Sequence, residues 1–136
     1  MSWMTSLTKL RNFEIEELRK RLQAILDRRA ALEGRLTALD SELARELAHA
    51  QGDAESGWYL AGFRVGYKQR RALVEADLRA LAAEEAGARD ALTEAFEALK
   101  KVEKISETAA AAKAKTLAQL ETQALDEQAL RRRAMN

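Results

Sequence analysis

The sequence predicts an all-α protein in which two long helices form an antiparallel coiled-coil hairpin with an overhanging C-terminal helical arm. Three observations lead to this prediction. The 136 residues include no Pro, 5% are aromatic and 33% are charged, and much of the hydrophobic share is Ala and Leu, a composition typical of long helices. Apolar residues recur at alternating steps of three and four. A single short cluster of turn-forming residues separates two such rows.

The first helix is predicted over about residues 5–51 by one of these rows. Steps of three and four average 3.5 residues per turn, which keeps a narrow stripe facing a partner helix and implies left-handed supercoiling. Only Arg29 and Glu46 interrupt the row. Its apolar members are Ile15, Leu18, Leu22, Ile25, Leu32, Leu36, Leu39 and Leu43.

The turn is expected at about residues 52–57. Gly52 can adopt the left-handed conformation that ends a helix, and Asp53 or Ser56 can cap the next one. Helices joined by a short connection are antiparallel neighbours, so residue i is expected opposite roughly residue 109 minus i. The residues expected to meet are Leu22, Ile25, Leu32, Leu36 and Leu39 on the first helix and Leu92, Leu81, Leu78 and Val74 on the second.

The second helix is predicted over about residues 58–133, so that residues 1–136 form a single coiled-coil domain. Its row keeps the same period up to Val102, with polar breaks that include Arg71 and Glu85. The first helix runs out opposite about Ser106, which leaves residues from about Thr108 without a hairpin partner. A lone amphipathic helix is marginal in water. This arm therefore either frays or is bound by another molecule.

The sequence gives no support for an enzyme. It lacks a Gly-rich phosphate loop, a zinc-protease HExxH motif and a nucleophile elbow. There is no Cys and a single His, His49, so neither a thiolate nor a histidine metal cluster can form, and no cofactor is expected. The first residues lack the apolar run of a signal peptide, and no later run is long enough to insert into a membrane. We expect a soluble cytoplasmic protein.

Aromatic residues and glycines cluster just after the turn. Phe63 and Tyr67 are four residues apart and share a helix face. One interpretation is that the aromatics plug the end of the hairpin while Gly57, Gly62 and Gly66 let the helices close up. The other is a partner-docking patch, because Trp and Tyr are enriched at binding hot spots. Nucleic acid is not expected, since the formal net charge is only +1. The turn-proximal patch comprises Trp58, Phe63, Arg64, Tyr67, Lys68 and Arg71.

Motifs along the whole chain resemble the flagellar export protein FliJ family. The C-terminal motif, an acidic pair followed by Ala and basic residues, is the most distinctive. The motifs are Leu7-x-x-Leu10 leading into Phe13-Glu14-Ile15-Glu16-Glu17-Leu18, the glycine-bearing turn followed by Trp58 and Tyr67, and the ending from Leu125 to Met135.

This resemblance implies an antiparallel coiled coil, similar to the central stalk of rotary ATPases, that inserts into the export ATPase ring. It also implies contacts with the membrane export gate and with substrate chaperones. The gate-binding surface of the family maps onto the turn-proximal patch, although Arg45, Ala48 and His49 stand where family members often show aromatics. The ATPase side maps onto the start of the first helix and the C-terminal arm. The arm residues expected to bind are Leu117, Leu120, Arg131, Arg132 and Arg133.

A competing interpretation is a generic structural coiled-coil adaptor or dimerisation module. Periodicity and composition are compatible with both functions, because a coiled-coil seam can close within one chain or between chains. A monomer in solution favours the stalk, whereas a tight dimer favours the adaptor.

Overall fold

The computed structural model describes residues 2–51 and 54–136, and for residues 54–56 it describes the backbone only. These residues form α1, Trp3–His49, and α2, Ala54–Met135, and they include no strand. The predicted all-α class with two long helices is confirmed. The expected roles of Gly52 and Asp53 at the turn, and of the Ser56 side chain as a cap, lie outside the described residues.

Local hydrogen bonds account for the two ends of α1. Ser2 stands just before the helix, and its hydroxyl accepts a hydrogen bond of 3.4 Å from the backbone N–H of Thr5. This is the arrangement by which a capping side chain satisfies a first-turn donor. At the other end, the N–H of Ala50 donates to the carbonyl of Glu46 at 3.0 Å. Helical hydrogen bonding therefore continues one residue past His49.

Residues 15–93 form one compact unit in which α1 and α2 pack antiparallel. Two sets of polar contacts fix the direction. Arg29 in the middle of α1 pairs with Glu85 at 2.5 Å, whereas Asp40, farther along α1, contacts Tyr67 and Arg71, which come earlier in α2. Partners on α2 thus occur earlier as the position on α1 advances, as an antiparallel pair requires.

The core of this unit follows the predicted seam. Ile25, Leu81 and Ala88 are buried against one another, with the partly buried Leu22 and Leu32 packed on them. Val74 is also buried. A bulky Leu81 and a small Ala88 lie two turns apart on α2, so large and small side chains alternate along the seam.

Polar residues that interrupt the two rows meet one another. Arg29 and Glu85 are breaks in the apolar rows of α1 and α2, respectively, and they form an ion pair in which the Glu85 side chain is 18% exposed. The expected register places Arg29 opposite Ala80, so the observed partner lies about one helical turn farther along α2. Near the turn the agreement is closer, because residue 69 is expected opposite Asp40 and the observed partners are Tyr67 and Arg71.

The second unit comprises the start of α1, up to Glu14, and α2 from Glu94 onwards. Val102 is buried and Ser106 half-buried, whereas every residue from Glu107 to Asn136 is exposed. The predicted arm is therefore helical up to Met135 and contributes no buried side chain. No helix in residues 2–51 and 54–136 is long and apolar enough to cross a membrane.

Candidate partner-binding surfaces

The turn-proximal patch divides into exposed residues and residues that hold the hairpin together. Trp58 is 87% exposed, and Arg64 and Lys68 are exposed as well. Phe63 is half-buried. Tyr67 and Arg71 are half-buried too, and both reach across to Asp40 of α1. The patch thus contains both surface side chains and interhelical contacts.

Asp40 of α1 makes polar contacts with two residues of the patch, Tyr67 and Arg71. The Tyr67 hydroxyl donates a hydrogen bond of 2.5 Å to Oδ1 of Asp40, and Nη1 of Arg71 donates to the same oxygen. Arg71 also pairs through Nε with Glu75 on its own helix at 3.0 Å. A charged acceptor shared by two donors makes these hydrogen bonds stronger than neutral ones.

The protonation states of this cluster follow from its hydrogen bonds. The hydroxyl of Tyr67 and then the guanidinium of Arg71 lower the pKa of Asp40, because both donate to the ionised carboxylate. The bond to Asp40 raises the pKa of Tyr67, because only the neutral phenol can donate to a carboxylate. The same carboxylate raises the pKa of Arg71. The cluster is therefore a charged carboxylate held between a neutral phenol and a cation.

The exposed part of the patch includes contacts that the sequence did not single out. The rings of Tyr59 and Phe63 lie with centroids 6.3 Å apart, and the guanidinium of Arg70 lies 5.9 Å from the centroid of Phe63. Tyr59 is 62% exposed. The sequence-predicted patch did not include Arg70, although this residue follows Phe63 by seven residues and so lies on the same helix face. Tyr59, Phe63 and Arg70 thus form an aromatic and cationic surface, and Trp58 lies about 100° or more around the helix from them.

The expectation that glycines allow a close approach of the two helices is wrong. Among the described residues, a Cβ added at Gly57 or Gly62 would meet nothing within 4 Å apart from its own helix backbone and chain neighbours, and at Gly66 it would meet only the side chain of Arg70, at 3.5 Å. Arg70 belongs to the same helix. These glycines are therefore not required by helix packing.

The arm residues expected to bind the ATPase all lie at the surface. Leu117 and Leu120 are 52% and 55% exposed and share a face, being three residues apart. Arg131, Arg132 and Arg133 are also exposed, and they precede the C-terminal end of α2, where cations are stabilised by the helix dipole.

A further apolar stripe lies at the start of α1. Trp3, Leu10 and Phe13 are 64%, 51% and 62% exposed. Their spacing of seven and three puts them on one face, distinct from the buried Ile15. In the sequence, Leu10 and Phe13 stand out only as parts of a family motif. Their three-residue spacing on one helix face is the signal that predicts this stripe.

The described residues offer no arrangement suited to metal chemistry. Among them, no group of three or more His, Cys, Asp or Glu side chains could hold a metal ion. The groove between the helices beside Leu32 and Leu81 is open to solvent and is flanked by Arg28 and Glu84, whose side chains pair at 3.5 Å. The candidate binding surfaces in the described part of the chain are thus exposed helix faces.

Comparison with known proteins identifies the family. Two curated proteins, each called "Flagellar FliJ protein" and coming from two strains of Caulobacter vibrioides, are 46% identical to this chain over 133 residues. The match covers 98% of this chain and 96% of each relative. No family model matches the chain, and no solved structure does. With nearly half of the residues identical over almost the full length of both proteins, this chain belongs to the FliJ family of flagellar proteins.

Proposed function

We propose that this chain is a non-enzymatic component of the flagellar type III protein export apparatus. In this proposal it acts as a coiled-coil stalk that binds and stimulates the export ATPase ring and contacts the export gate and the substrate chaperones. It works at the flagellar base, peripherally associated with the inner membrane. Membership of the FliJ family supports the flagellar part of the proposal.

The observation that carries the ATPase assignment is the exposed C-terminal arm. α2 continues to Met135, yet every residue from Glu107 is exposed. Leu117 and Leu120 keep an apolar face there, although most helical stability in proteins comes from burying such a face. An arm of this kind gains stability when it enters a groove or the bore of a ring.

The basic end of the arm adds charge to this apolar face. Arg131, Arg132 and Arg133 are exposed, and guanidinium groups pair with carboxylates in bidentate geometry. We therefore expect the arm to contact an apolar surface edged by acidic residues. A single chain inside a symmetric ring touches only some subunits at a time. It can stimulate turnover only if it binds one conformation of a subunit more tightly than another.

Contacts with the gate and the chaperones are assigned to the turn-proximal patch. Trp58 and Arg64 leave their side chains free for a partner. Tyr67 and Arg71 instead contact Asp40, so they support the patch from within the hairpin. Trp58 is the best single anchor, because large aromatic side chains dominate binding energy.

Removal of the arm tests the ATPase assignment. A chain ending at Lys104 keeps the whole of residues 15–93 and the buried Val102, so we expect it to stay helical. It should no longer stimulate ATP hydrolysis by the purified export ATPase of the same organism. Full stimulation by the shortened chain would refute the assignment.

A point variant with a matched control makes this test sharper. Leu120→Asp places a charge on the apolar face of the arm, whereas Gln119→Asp introduces the same side chain at a neighbouring exposed position about 100° around the helix. We expect Leu120→Asp to reduce stimulation and Gln119→Asp to leave it nearly unchanged. Equal effects of both variants would mean that charge, not the apolar face, decides binding.

The gate assignment is tested with Trp58→Ala. Because Trp58 is 87% exposed, its removal should leave the melting temperature unchanged, while loss of a hot-spot aromatic costs about 2 kcal/mol or more of binding. Binding to the soluble domain of the gate protein can be followed by titration calorimetry. Leu73→Ala is the control, since Leu73 is 68% exposed on the same helix but outside the patch. Undiminished binding of Trp58→Ala would refute this role.

A further inference from the structure

One face of the arm carries charges in a self-complementary order. Lys113, Leu117, Leu120, Ala124 and Glu127 follow one another at steps of four, three, four and three, so they lie on one stripe of α2. All five are exposed. No ion pair or hydrogen bond joins the side chain of Lys113 or Glu127 to another residue in the described part of the chain. We define these five residues as the arm stripe.

The two charges of the arm stripe are placed symmetrically about Leu120. Lys113 precedes Leu120 by seven residues and Glu127 follows it by seven, which puts opposite charges about 10 Å on either side of the leucine. We propose that the arm stripe binds the arm stripe of a second copy of this chain, in antiparallel orientation and centred on Leu120. This association is concentration-dependent, unlike the tight dimer expected of an adaptor, and it does not depend on the proposed role in export.

Charge complementarity selects the second copy and its orientation. When two such helices lie antiparallel about Leu120, Lys113 of each copy faces Glu127 of the other, which gives two attractive pairs. In a parallel pair, Lys113 would face Lys113 and Glu127 would face Glu127. Charges at helix interfaces set partner choice and orientation in this way. The two end charges of the stripe are thus complementary to those of a second stripe that runs in the opposite direction.

Packing along the stripe fits the same arrangement. In the antiparallel pair the two Leu120 side chains meet at the centre, and each Leu117 lies within one residue of the level of Ala124 of the other copy. A large residue opposite a small one allows two helices to approach closely and fill the space between them. The pairing would cover Leu117 and Leu120, which are 52% and 55% exposed in the single chain. It would therefore compete by mass action with any partner that binds the same face.

Sedimentation equilibrium of the full chain, without any partner protein, tests the pairing. We expect the apparent mass to rise from one chain to two with increasing concentration. Lys113→Glu alone or Glu127→Lys alone replaces two attractive pairs by two repulsive ones and should weaken association about tenfold or more. The double variant Lys113→Glu/Glu127→Lys restores opposite charges across the interface and should recover dimerisation.

Two controls separate this result from a general effect of charge. Lys115→Glu makes the same charge change on the opposite side of the arm helix and should leave association unchanged. Circular dichroism should show equal helicity in all variants. A chain that stays monomeric at every concentration, or a dimer that is insensitive to the single reversals, would overturn the proposal. So would a double variant that fails to recover.

Cysteine cross-linking tests the orientation, because the natural chain has no Cys. Leu120→Cys lies opposite itself in the antiparallel pair and should form a disulfide-linked dimer under mild oxidation. Arg131→Cys lies 11 residues beyond the centre, so its two copies would be roughly 30 Å apart and should not cross-link. Efficient cross-linking at both positions would indicate a parallel dimer, and cross-linking at neither would indicate that the stripe does not pair. Both outcomes would refute the proposal.

Discussion

Replacing Leu81 with Ala is expected to destabilise the hairpin formed by residues 15–93 by about 3 kcal/mol. Leu81 is 2% exposed and packs in the cluster with Ile25 and Ala88. The substitution removes three carbon atoms, and at about 0.8 kcal/mol for each buried methylene the transfer term is about 2.4 kcal/mol. A cavity term is added to this value.

The geometry of the seam keeps the cavity term small. The groove beside Leu81 and Leu32 is open to solvent, so water and neighbouring side chains can fill part of the space that the leucine leaves. In a closed core, the same substitution reaches about 5 kcal/mol because the surroundings relax little. A two-helix seam thus places the loss near 3 kcal/mol, which corresponds to a fall of about 10 °C in melting temperature for a chain of this size.

Thermal and urea unfolding followed by circular dichroism at 222 nm measure this loss. Leu73→Ala is the matched control, because the same residue type on the same helix is 68% exposed there. Its effect should be within about 0.5 kcal/mol of zero. If Leu81→Ala has the same melting temperature as Leu73→Ala, the seam does not run through Leu81 and the antiparallel packing described above is wrong.

Three further substitutions have expected outcomes. Gly62→Ala should raise the free energy of unfolding by about 0.5–1 kcal/mol, because a Cβ meets nothing there and Ala favours helix; a loss of stability in urea unfolding would contradict the open surroundings of this glycine. Asp40→Asn should remove a contribution to stability that is present above the ordinary carboxyl pKa of 3.8 and lost as pH falls through the lowered folded value. The stability difference from the natural protein should therefore be constant near neutral pH and shrink below about pH 4; a difference that grows on acidification would refute this. Leu36 is half-buried in the seam, so Leu36→Asp should cost about 1–3 kcal/mol of stability by partly removing a carboxylate from water; unchanged melting and helicity would argue against the pairing.

The helical seam could be predicted from the sequence because it depends only on the spacing of apolar residues along the chain. Steps of three and four repeat over many turns, and a period sustained over that length has few structural alternatives. The buried residues Ile15, Ile25, Val74 and Leu81 all belong to the rows that the spacing predicts. The exposure of the arm could also be predicted, because the first helix has no apolar row that extends opposite it.

The polar contacts across the seam could not be derived from periodicity. Arg29 and Glu85 can be recognised in the sequence as polar breaks in two apolar rows. Predicting that they pair also requires knowing how α1 is aligned along α2. A register estimated from the midpoint of the turn errs by about one helical turn here, because the seam repeats every three to four residues and neighbouring registers look alike. The ion pair selects among these registers, because only one alignment of the two helices brings Arg29 and Glu85 together.

Asp40 shows why the role of a residue can differ from its predicted one. Tyr67 and Arg71 were predicted as parts of a docking patch from their own helix alone, yet Asp40 on the other helix binds both. A single acidic residue among many charged ones gives no sequence signal for such a contact. The structure thus shifts the exposed centre of the patch towards Trp58 and Tyr59.

Polar residues in the seam help to select the register of the hairpin, whereas apolar residues on the arm provide a surface for another molecule. Within the hairpin, a shifted register would lose the interhelical pair of Arg29 with Glu85 and leave each with only its partner on its own helix, Glu33 and Arg89 respectively. The pair therefore disfavours misaligned packing of two otherwise uniform Ala- and Leu-rich helices. On the arm, Leu117 and Leu120 stay exposed and carry apolar surface that the hairpin does not use. The chain therefore closes its seam internally and leaves a separate helical face for another molecule, and the charges that flank this face, Lys113 and Glu127, determine which surface can cover it.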